Sequence, residues 1–578
     1  MAWGLLEVPG VQDVPGTVVL SDRSDIPSEF EQIPRHLLKH GKGKFANVVL
    51  APQPTDSPND PLNWPTWRKD LVLLITGLSA GVVGAYGPML SPGFETISAQ
   101  LGIGVPALGH MTAWVVLTIG LSLFLFNPIA KKIGRRPVYL ACSIIMLSSS
   151  IWGGVAGNYN SFLASRIWGG LGMAPYEVLV QCTIADMYFV HQRATRIAVW
   201  NMFLLCGISG GSLISGYIIQ NQGWQWTFIW CAIFFGALLP LVFFFVPETA
   251  YVRPPLVHRF AGYHLNRTMT PDKAAGLELE KTEMSEMKGV SDEKETVTVA
   301  PAKTAFSAVG DSGAAAENGI PADTAEKKHT YWRSLRVFTG IYSHTPLVRI
   351  LVRPVVVFFY PAVFWAFLMY GATSSWIVVF SVVNASIFTK APYNFTVSQT
   401  GLISLAPLIA TLLGEVASGP LNDWLSVRLA ERNNGVYEPE FRLPLVIVPL
   451  ILGAAGFYGF GATVHYKTHW SGPVLCFGLA NAALAFLNSS VFPYVLDAHS
   501  DLSEEAFVAI NARNFLTFGV TYFVNNWVDN SGALNVFNVL GSVYVGVVLT
   551  TIPLWIYGKR ARHFIASKKF VQRFLQEE

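Results

Sequence analysis

Residues 226–246 read WTFIWCAIFFGALLPLVFFFV, twenty-one positions without one charged side chain. Coiled as a helix, that run is about 30 Å long, which matches the hydrocarbon core of a bilayer. Runs of similar length and apolarity precede it near 71–90, 108–129, 138–157, 161–183 and 197–218. Others follow near 354–380, 400–420, 443–464, 472–496, 507–527 and 536–557. In lipid only a helix pairs all of its own backbone N–H and C=O groups within a single segment. The expected fold is therefore all-α and integral to the membrane, with twelve transmembrane helices.

Composition points the same way. Hydrophobic residues make up 52% of the 578 and charged residues only 13%, against about 25% charged in soluble proteins, and the mean hydropathy is +0.40. The net charge of +3 is small and not massed in one segment, so nucleic acid is not an expected partner. Cys142, Cys182, Cys206, Cys231 and Cys476 all sit in apolar runs without metal or disulfide spacing, and read as small core residues. No Gly-x-x-x-x-Gly-Lys-Ser loop and no His/Cys cluster occurs, so neither cofactor nor metal is expected. No nucleophile, base and orienting group stand out as a set, so the chain does not read as an enzyme. Any work it does must draw on a gradient.

The hydrophilic stretches give the organisation. Residues 1–69 form an N-terminal region with no apolar stretch of signal-peptide type, so the first span is expected to insert as its own signal. Spans fill 70–247 and 353–558, six in each, and 559–578 is a tail. Within the connecting region 248–352, Pro271 to Lys328 is rich in Ala, Glu, Lys, Thr and Ser and nearly free of aromatics, as a linker without order would be. Tyr331 to Arg353 sets Trp332, Leu335, Phe338 and Ile341 near helical spacing, which fits either a helix in the membrane interface or irregular chain.

With the N-terminus in the cytosol, the short cytosolic loops hold Lys131, Lys132, Arg135, Arg136, Arg193, Arg196, Arg428, Arg432 and Arg442. The external loops hold Lys390 and Lys467. Nine against two places both termini in the cytosol. The sequons at Asn384 and Asn394 then fall in an external loop, open to glycosylation or unused.

After the second span the chain reads Asn127-Pro128-Ile129-Ala130-Lys131, and after the eighth Gly419-Pro420-Leu421-Asn422-Asp423. That internal repeat supports two six-helix halves around a midplane site, an arrangement used by secondary transporters. The segment Lys132-Ile133-Gly134-Arg135-Arg136-Pro137 is similar to the loop motif Gly-x-x-x-Asp-Arg-x-Gly-Arg-Arg of the major facilitator superfamily. Its basic end is complete. Asn127, Lys131 and Lys132 stand where the family has Gly, Asp and Arg, so the acidic group that caps the start of helix 11 is missing from the first half, while Asp423 keeps the matching carboxylate in the second.

Arg166-x-x-x-Gly170-x-Gly172 resembles the family's arginine motif, which implies a link to proton transfer. Gly207-x-x-x-Gly211-Ser212-x-x-Ser215-Gly216 stands where antiporters have Gly-x-x-x-Gly-Pro-x-x-Gly-Gly, with Ser in place of Pro and of one Gly. Ser57-Pro58-Asn59-Asp60-Pro61-Leu62-Asn63-Trp64 and Tyr437-Glu438-Pro439-Glu440-Phe441-Arg442-Leu443 look like the fungal drug:proton antiporter branch, which also contains histidinol and polyamine permeases. The resemblance implies a gating role for Gly134, Arg135, Arg136 and Asp423.

Four charges fall inside spans: Arg166, Glu177, Glu415 and Arg513. Each costs about 2.5–3.5 kcal/mol at a helix centre on insertion scales, so each is a candidate for proton coupling. Arg166 and Glu177 are eleven residues apart, about 20° around the helix and roughly 16 Å along it, and so share a stripe. The stripe is either a proton and substrate site or a pair of fixed ion pairs to other helices. Glu415 and Arg513 either lie at similar depth or snorkel toward the cytosolic headgroups. Tyr86, Asn201, Tyr370, Trp376, Asn481 and Asn488 are candidates to line an amphipathic site, with packing as the competing role.

The resemblance supplies direction and substrate class: a proton-coupled exporter of a small amphipathic compound, multi-pass in the plasma membrane, with substrate, protons and lipid as its partners and no obligate protein partner. An importer of organic cations such as polyamines is the alternative within transport, and a membrane sensor the alternative outside it. The basic-loop count generates a direct expectation. Tags at either terminus remain unlabelled by membrane-impermeant reagents in intact cells and react after permeabilisation; labelling in intact cells refutes the topology.

Overall fold

The computed structural model describes residues 5–6, 16–19, 39, 50, 52–253, 328–343, 345–433, 436–499 and 502–568. The segment read as a linker, Pro271 to Lys328, lies outside these apart from Lys328 itself. Residues 55–57 group with 253–327 as a separate unit, of which only 55–57 and 253 are described.

The first half contains α1 (Thr66–Tyr86), α2 (Val105–Ile133), α3 (Arg135–Val155), α4 (Tyr159–Met187), α5 (Val190–Gln222) and α6 (Gln225–Phe245). The second contains α7 (Pro361–Phe388), α8 (Leu405–Arg432), α9 (Ile447–His465) and α10 (Ser471–Ala498). Its last long helix, Arg513–Leu549, is interrupted at Gly532, whose φ of 75° leaves the helical region. The break divides it into α11 (513–531) and α12 (533–549), and Thr551–Ala566 continues beyond. The only described strands, β1 (Val18–Val19) and β2 (Val436–Tyr437), pair antiparallel with Val18 opposite Tyr437.

Ten helical stretches among the described residues are long and apolar enough to cross a membrane. The two bundle helices that fall short are α4, which carries Arg166, Glu177 and Gln181, and α11, which carries Arg513, Asn514 and Asp529. A polar helix in a bilayer protein is stable when its neighbours, rather than lipid, surround it. The α4 stretch 169–184 is buried almost throughout.

Several expected boundaries move. The seventh span divides into Leu347–Phe358 and α7, with a break before Pro361. The interface helix anticipated over Tyr331 to Arg353 is a single turn, Tyr331–Ser334. Gly340 takes a φ of 147°, which ends any helix, and Pro346 caps the next one. Leu335 is buried there while Trp332, Phe338 and Ile341 are exposed. Because α7 runs on to Phe388, Asn384 lies inside a helix and is buried, so its side chain is not presented to a glycosylating enzyme. Asn394, exposed in the following loop with φ 50°, is presented.

The halves meet where α5 packs on α8 and α10, and where α2 packs on α11. Inside the first half α1 crosses α5 at glycine. A Cβ at Gly207 would fall onto the Gly81 main chain, and one at Gly211 would lie 2.6 Å from the Ala85 Cα. Small residues allow such backbone approach in membranes, where dispersion rather than water exclusion holds helices together. Gly210, about 60° round α5 from Gly207, has nothing within 4 Å of its would-be Cβ. Gly207→Val is therefore expected to lower stability by about 1–3 kcal/mol through overpacking, read as a fall in melting temperature of the purified protein. Gly210→Ala is expected to leave it unchanged or slightly raised. Equal behaviour of the two variants refutes the close crossing.

Candidate functional site

Between the halves, α1, α2, α4 and α5 on one side and α7, α10 and α11 on the other line a cavity. Most of the wall is apolar, with Val115, Ile119, Met173, Leu204, Ile208, Ile377, Val382 and Leu484 among its residues. Glu177, Tyr370, Arg513, Asn514 and Thr517 make one polar corner, and Ser91, Thr112, Ser374, Ser381 and Asn481 are polar points elsewhere. An apolar chamber with a few convergent polar groups is the usual form of a small-molecule site.

The polar corner is built across the halves. Glu177 leaves the middle of α4 and Arg513 the start of α11, and an Arg513 terminal nitrogen stands 3.6 Å from Glu177 Oε2. The guanidinium lies over the Tyr370 ring, 4.4 Å from its centroid, and donates to the Tyr370 hydroxyl at 3.3 Å. Phe492 packs edge-on against that ring at 5.0 Å. The ion pair is loose. Glu177 Oε2, Arg513 Nε and Asn514 Nδ2 are buried and make no hydrogen bond. Asn514 and Glu177 lie close enough to serve each other in part, so the corner is incompletely satisfied, and a buried polar group without a partner costs about 1–3 kcal/mol until one arrives.

Other residues anticipated from sequence lie elsewhere. Arg166 does not reach Glu177: its terminal nitrogens donate to the Tyr86 and Gly87 carbonyl oxygens, each at 2.7 Å, and its guanidinium stacks 4.5 Å from the Tyr86 centroid. Their shared stripe is real in angle but divided in partner, because α1 ends beside Arg166 and offers carbonyls that no further helical turn can bond. Tyr86 is fully buried, bonded to Ser149 at 2.7 Å, and outside the cavity wall. Trp376 is likewise buried and off the wall. Tyr370 and Asn481 are on it. Glu415 does not snorkel. It is 3% exposed, and together with Asn201 and Asn488 it forms a separate polar cluster where α5, α8 and α10 meet.

The loop motifs tie the halves together at the basic end. Gly134 turns the chain from α2 into α3 at φ 100°, where a Cβ would strike the Glu248 carboxylate. Glu248 accepts from the Arg135 and Arg136 backbone N–H groups at 2.9 and 3.1 Å, an anionic cap on the α3 N-terminus. Arg136 donates to the Val246, Phe243 and Leu335 carbonyls. Arg135 bonds Asp186 of α4 at 2.7 Å and Glu504, in the short helix Ser503–Asn511 before α11, at 2.5 Å. Lys131 reaches Glu505 of that helix at 2.7 Å, and Arg353 approaches the same carboxylate at 3.7 Å.

The second half repeats the plan. Arg442 bonds Asp497 at 2.8 Å and Asp423 at 3.2 Å, and Asp423 accepts from Thr195 of α5 at 2.8 Å. Glu438 and Glu440 hold Arg562 at 2.9 and 2.8 Å, and Lys559 pairs with Glu438 at 2.6 Å. His499, just past α10, is driven down to about 3 by burial and by Arg562, and stays neutral among these ions. At the opposite end the contacts across the halves are uncharged or singly charged: Thr389 donates to Glu95 at 2.9 Å, the Ser398 N–H to Gln220 at 2.9 Å, and Gly216 of α5 touches Gly401.

Sequence reading missed Asn514, Thr517, Glu504, Glu505, Asp186 and Asp497. For Glu504 and Glu505 a signal existed: basic residues at 131 and 135 call for acidic partners, and two adjacent glutamates open the helix that the family's missing carboxylate would cap.

The profile of the Major Facilitator Superfamily matches residues 72–524. An uncharacterized MFS-type transporter of Schizosaccharomyces pombe is 26% identical over 97% of this chain and 94% of its own length. A protein of Floropilus chiversii named efflux pump radE is 23% identical over 88% and 83%. Among solved structures, the proton:xylose symporter XylE bound to 6-bromo-6-deoxy-D-glucose aligns with a TM-score of 0.55 at 14% identity, covering 85% of this chain and 97% of that one.

The Lys131–Glu505 contact puts opposite charges where the family motif would place a carboxylate on the α2 side. A double-mutant cycle of Lys131→Met and Glu505→Gln tests it. The expected coupling is about 0.5–3 kcal/mol in the unfolding of the purified protein, with the double variant losing less than the sum of the singles. Strict additivity refutes the tie.

Proposed function

Because the chain belongs to the Major Facilitator Superfamily and is a multi-pass membrane transporter, we propose that it is a proton-coupled efflux pump of the plasma membrane that exports a small amphipathic compound, a drug or secondary metabolite. The observation that carries this reading is the chamber between the halves, apolar over most of its wall and polar at Glu177, Arg513 and Asn514. An amphipathic solute buries its body against Val115, Ile119, Leu204 and Ile377 and sets its polar head on the unpartnered atoms of that corner. The apolar contact contributes about 25 cal/mol per Å². The head supplies orientation, because a misplaced solute leaves the corner unsatisfied.

Transport follows from breaking one set of cross-half contacts at a time. Opening the basic end separates Lys131 and Arg135 from Glu505 and Glu504, and Thr195 from Asp423. Opening the other end separates Thr389 from Glu95 and Gly216 from Gly401. The basic-loop bias assigns the first to the cytosol, which makes Asn394 the external glycosylation site. Export is favoured by the name of the Floropilus chiversii relative, and a fungal antiporter branch by the two motif stretches before helices 1 and 9.

Cells overproducing the protein are expected to accumulate less rhodamine 6G, a fluorescent amphipathic cation, than cells lacking it. Greater accumulation would indicate import, and equal accumulation across a panel of amphipathic probes would favour a sensor. Glu177→Gln removes the carboxylate of the polar corner and should reduce both net export and probe counterflow by roughly tenfold or more, the equivalent of losing one charge-assisted contact of about 1.5–3 kcal/mol. Unaltered counterflow at normal expression would remove Glu177 from the binding site.

A further inference from the structure

A second buried carboxylate lies outside the chamber. Glu415 sits mid-way along α8, and its Oε1 accepts from Asn201 Nδ2 of α5 across the boundary between the halves. Asn201 Oδ1 in turn accepts from Asn488 Nδ2 of α10 at 3.1 Å. Asn201 and Asn488 are each 1% exposed. The other polar neighbours are uncharged: Ser489 of α10, which shares a hydrogen with Ser418 of α8 at 2.6 Å, and the Cys206 thiol on α5. Among the described residues no Lys, Arg or His stands within ion-pair distance of Glu415. The nearest charges along the same helices are Asp423, about two turns on in α8, and Arg196, about one and a half turns before Asn201.

Counting donors and acceptors shows what this cluster lacks. Glu415 Oε2 and Asn488 Oδ1 are both buried acceptors without a donor. An ionised carboxylate here would be a full charge answered by one amide and the Ser489 hydroxyl, with no cation beside it, in surroundings where an unpaired ion costs several kcal/mol. A single proton on Oε2 removes the charge and supplies a donor. We propose that Glu415 is the proton-binding site of the transport cycle, separate from the substrate chamber, and that Asn201 reports its protonation state across the boundary between the halves. This inference rests on the proton-coupled reading above.

The step is a simple acid–base exchange. With the halves together, Glu415 is the neutral acid. When they part, Asn201 leaves with α5, water reaches the carboxyl, the O–H bond breaks and the proton passes to that water as hydronium. The resulting carboxylate cannot be re-enclosed until it takes a proton from water, so closing the boundary requires proton uptake. Leu204 and Leu205, one turn beyond Asn201, and Asn481 and Leu484, one to two turns before Asn488, line the chamber. The same two helices therefore touch substrate and proton site.

Infrared difference spectra of the purified full chain in lipid, recorded between acidic and alkaline buffer, read the site without any substrate. A carboxylic-acid C=O band is expected to grow on acidification, to vanish in Glu415→Gln, to persist in Glu177→Gln and to shift in frequency in Glu415→Asp. Asn201→Ala is expected to displace its titration midpoint. A difference spectrum unchanged by Glu415→Gln, or a midpoint indifferent to Asn201→Ala, overturns the proposal. In proteoliposomes loaded with rhodamine 6G, Glu415→Gln should lose flux driven by a pH gradient while keeping probe counterflow, and retained gradient-driven flux overturns it equally. If the wild type moves no probe yet the band titrates as stated, the efflux reading fails and the proton site stands.

Discussion

A charge carried into surroundings without water has to bring its partner with it, and much of this bundle is arranged by that requirement. Arg166 takes the carbonyls that the end of α1 leaves unbonded, Arg513 takes Glu177 and the face of Tyr370, and Glu415 takes amides. None of these can be met by lipid. Of the helices that carry three of these charges, α4 is buried along most of 169–184 and α11 turns Arg513, Asn514 and Thr517 inward while Phe515, Leu516, Tyr522 and Phe523 stay exposed, whereas α6, with no charge along its length, turns aromatic and branched side chains such as Ile233, Phe234 and Phe244 outward. Position in the bundle follows from solvation of side chains as much as from loop length. The cross-half pair at the chamber is the least satisfied of these arrangements and the most exposed, which suits a place where another molecule is to complete it.

The all-α membrane class and the order of the long helices could be read in the sequence because a bilayer imposes one length and one solvent on every span. Boundaries were less legible where the signal was composition alone: residues 347–358 are apolar enough to extend a span, yet the break before Pro361 makes them a separate helix. The same shift drew Asn384 into α7 and out of the loop. Charged residues inside spans identified themselves, but their partners did not, since Glu177 meets Arg513 and Glu415 meets Asn201 over hundreds of intervening positions that carry no register. Aromatic residues were the poorest guide. Tyr370 faces the chamber while Tyr86 and Trp376 pack away from it, and nothing in their local sequence distinguishes them.

The two ends of the bundle are closed by different physics. Lys131, Arg135, Arg442 and their acids form directional contacts whose separation exposes charge to water, which hydrates it. The other end is joined by Gly216 on Gly401 and a few hydrogen bonds, contacts that are individually small and vanish with little displacement. Because most of these charged groups are buried, salt screens their pairs little while the end is closed.

The exchange of sign between positions 131 and 505 reaches beyond a single contact. A relative whose first half kept the loop motif's aspartate at this position would present an acid to the second; here a lysine meets Glu505, which also lies beside Arg353. A first half taken from such a relative and joined to this second half would set carboxylate against carboxylate at the seam. At this contact each half of the chain is matched in charge to its own mate.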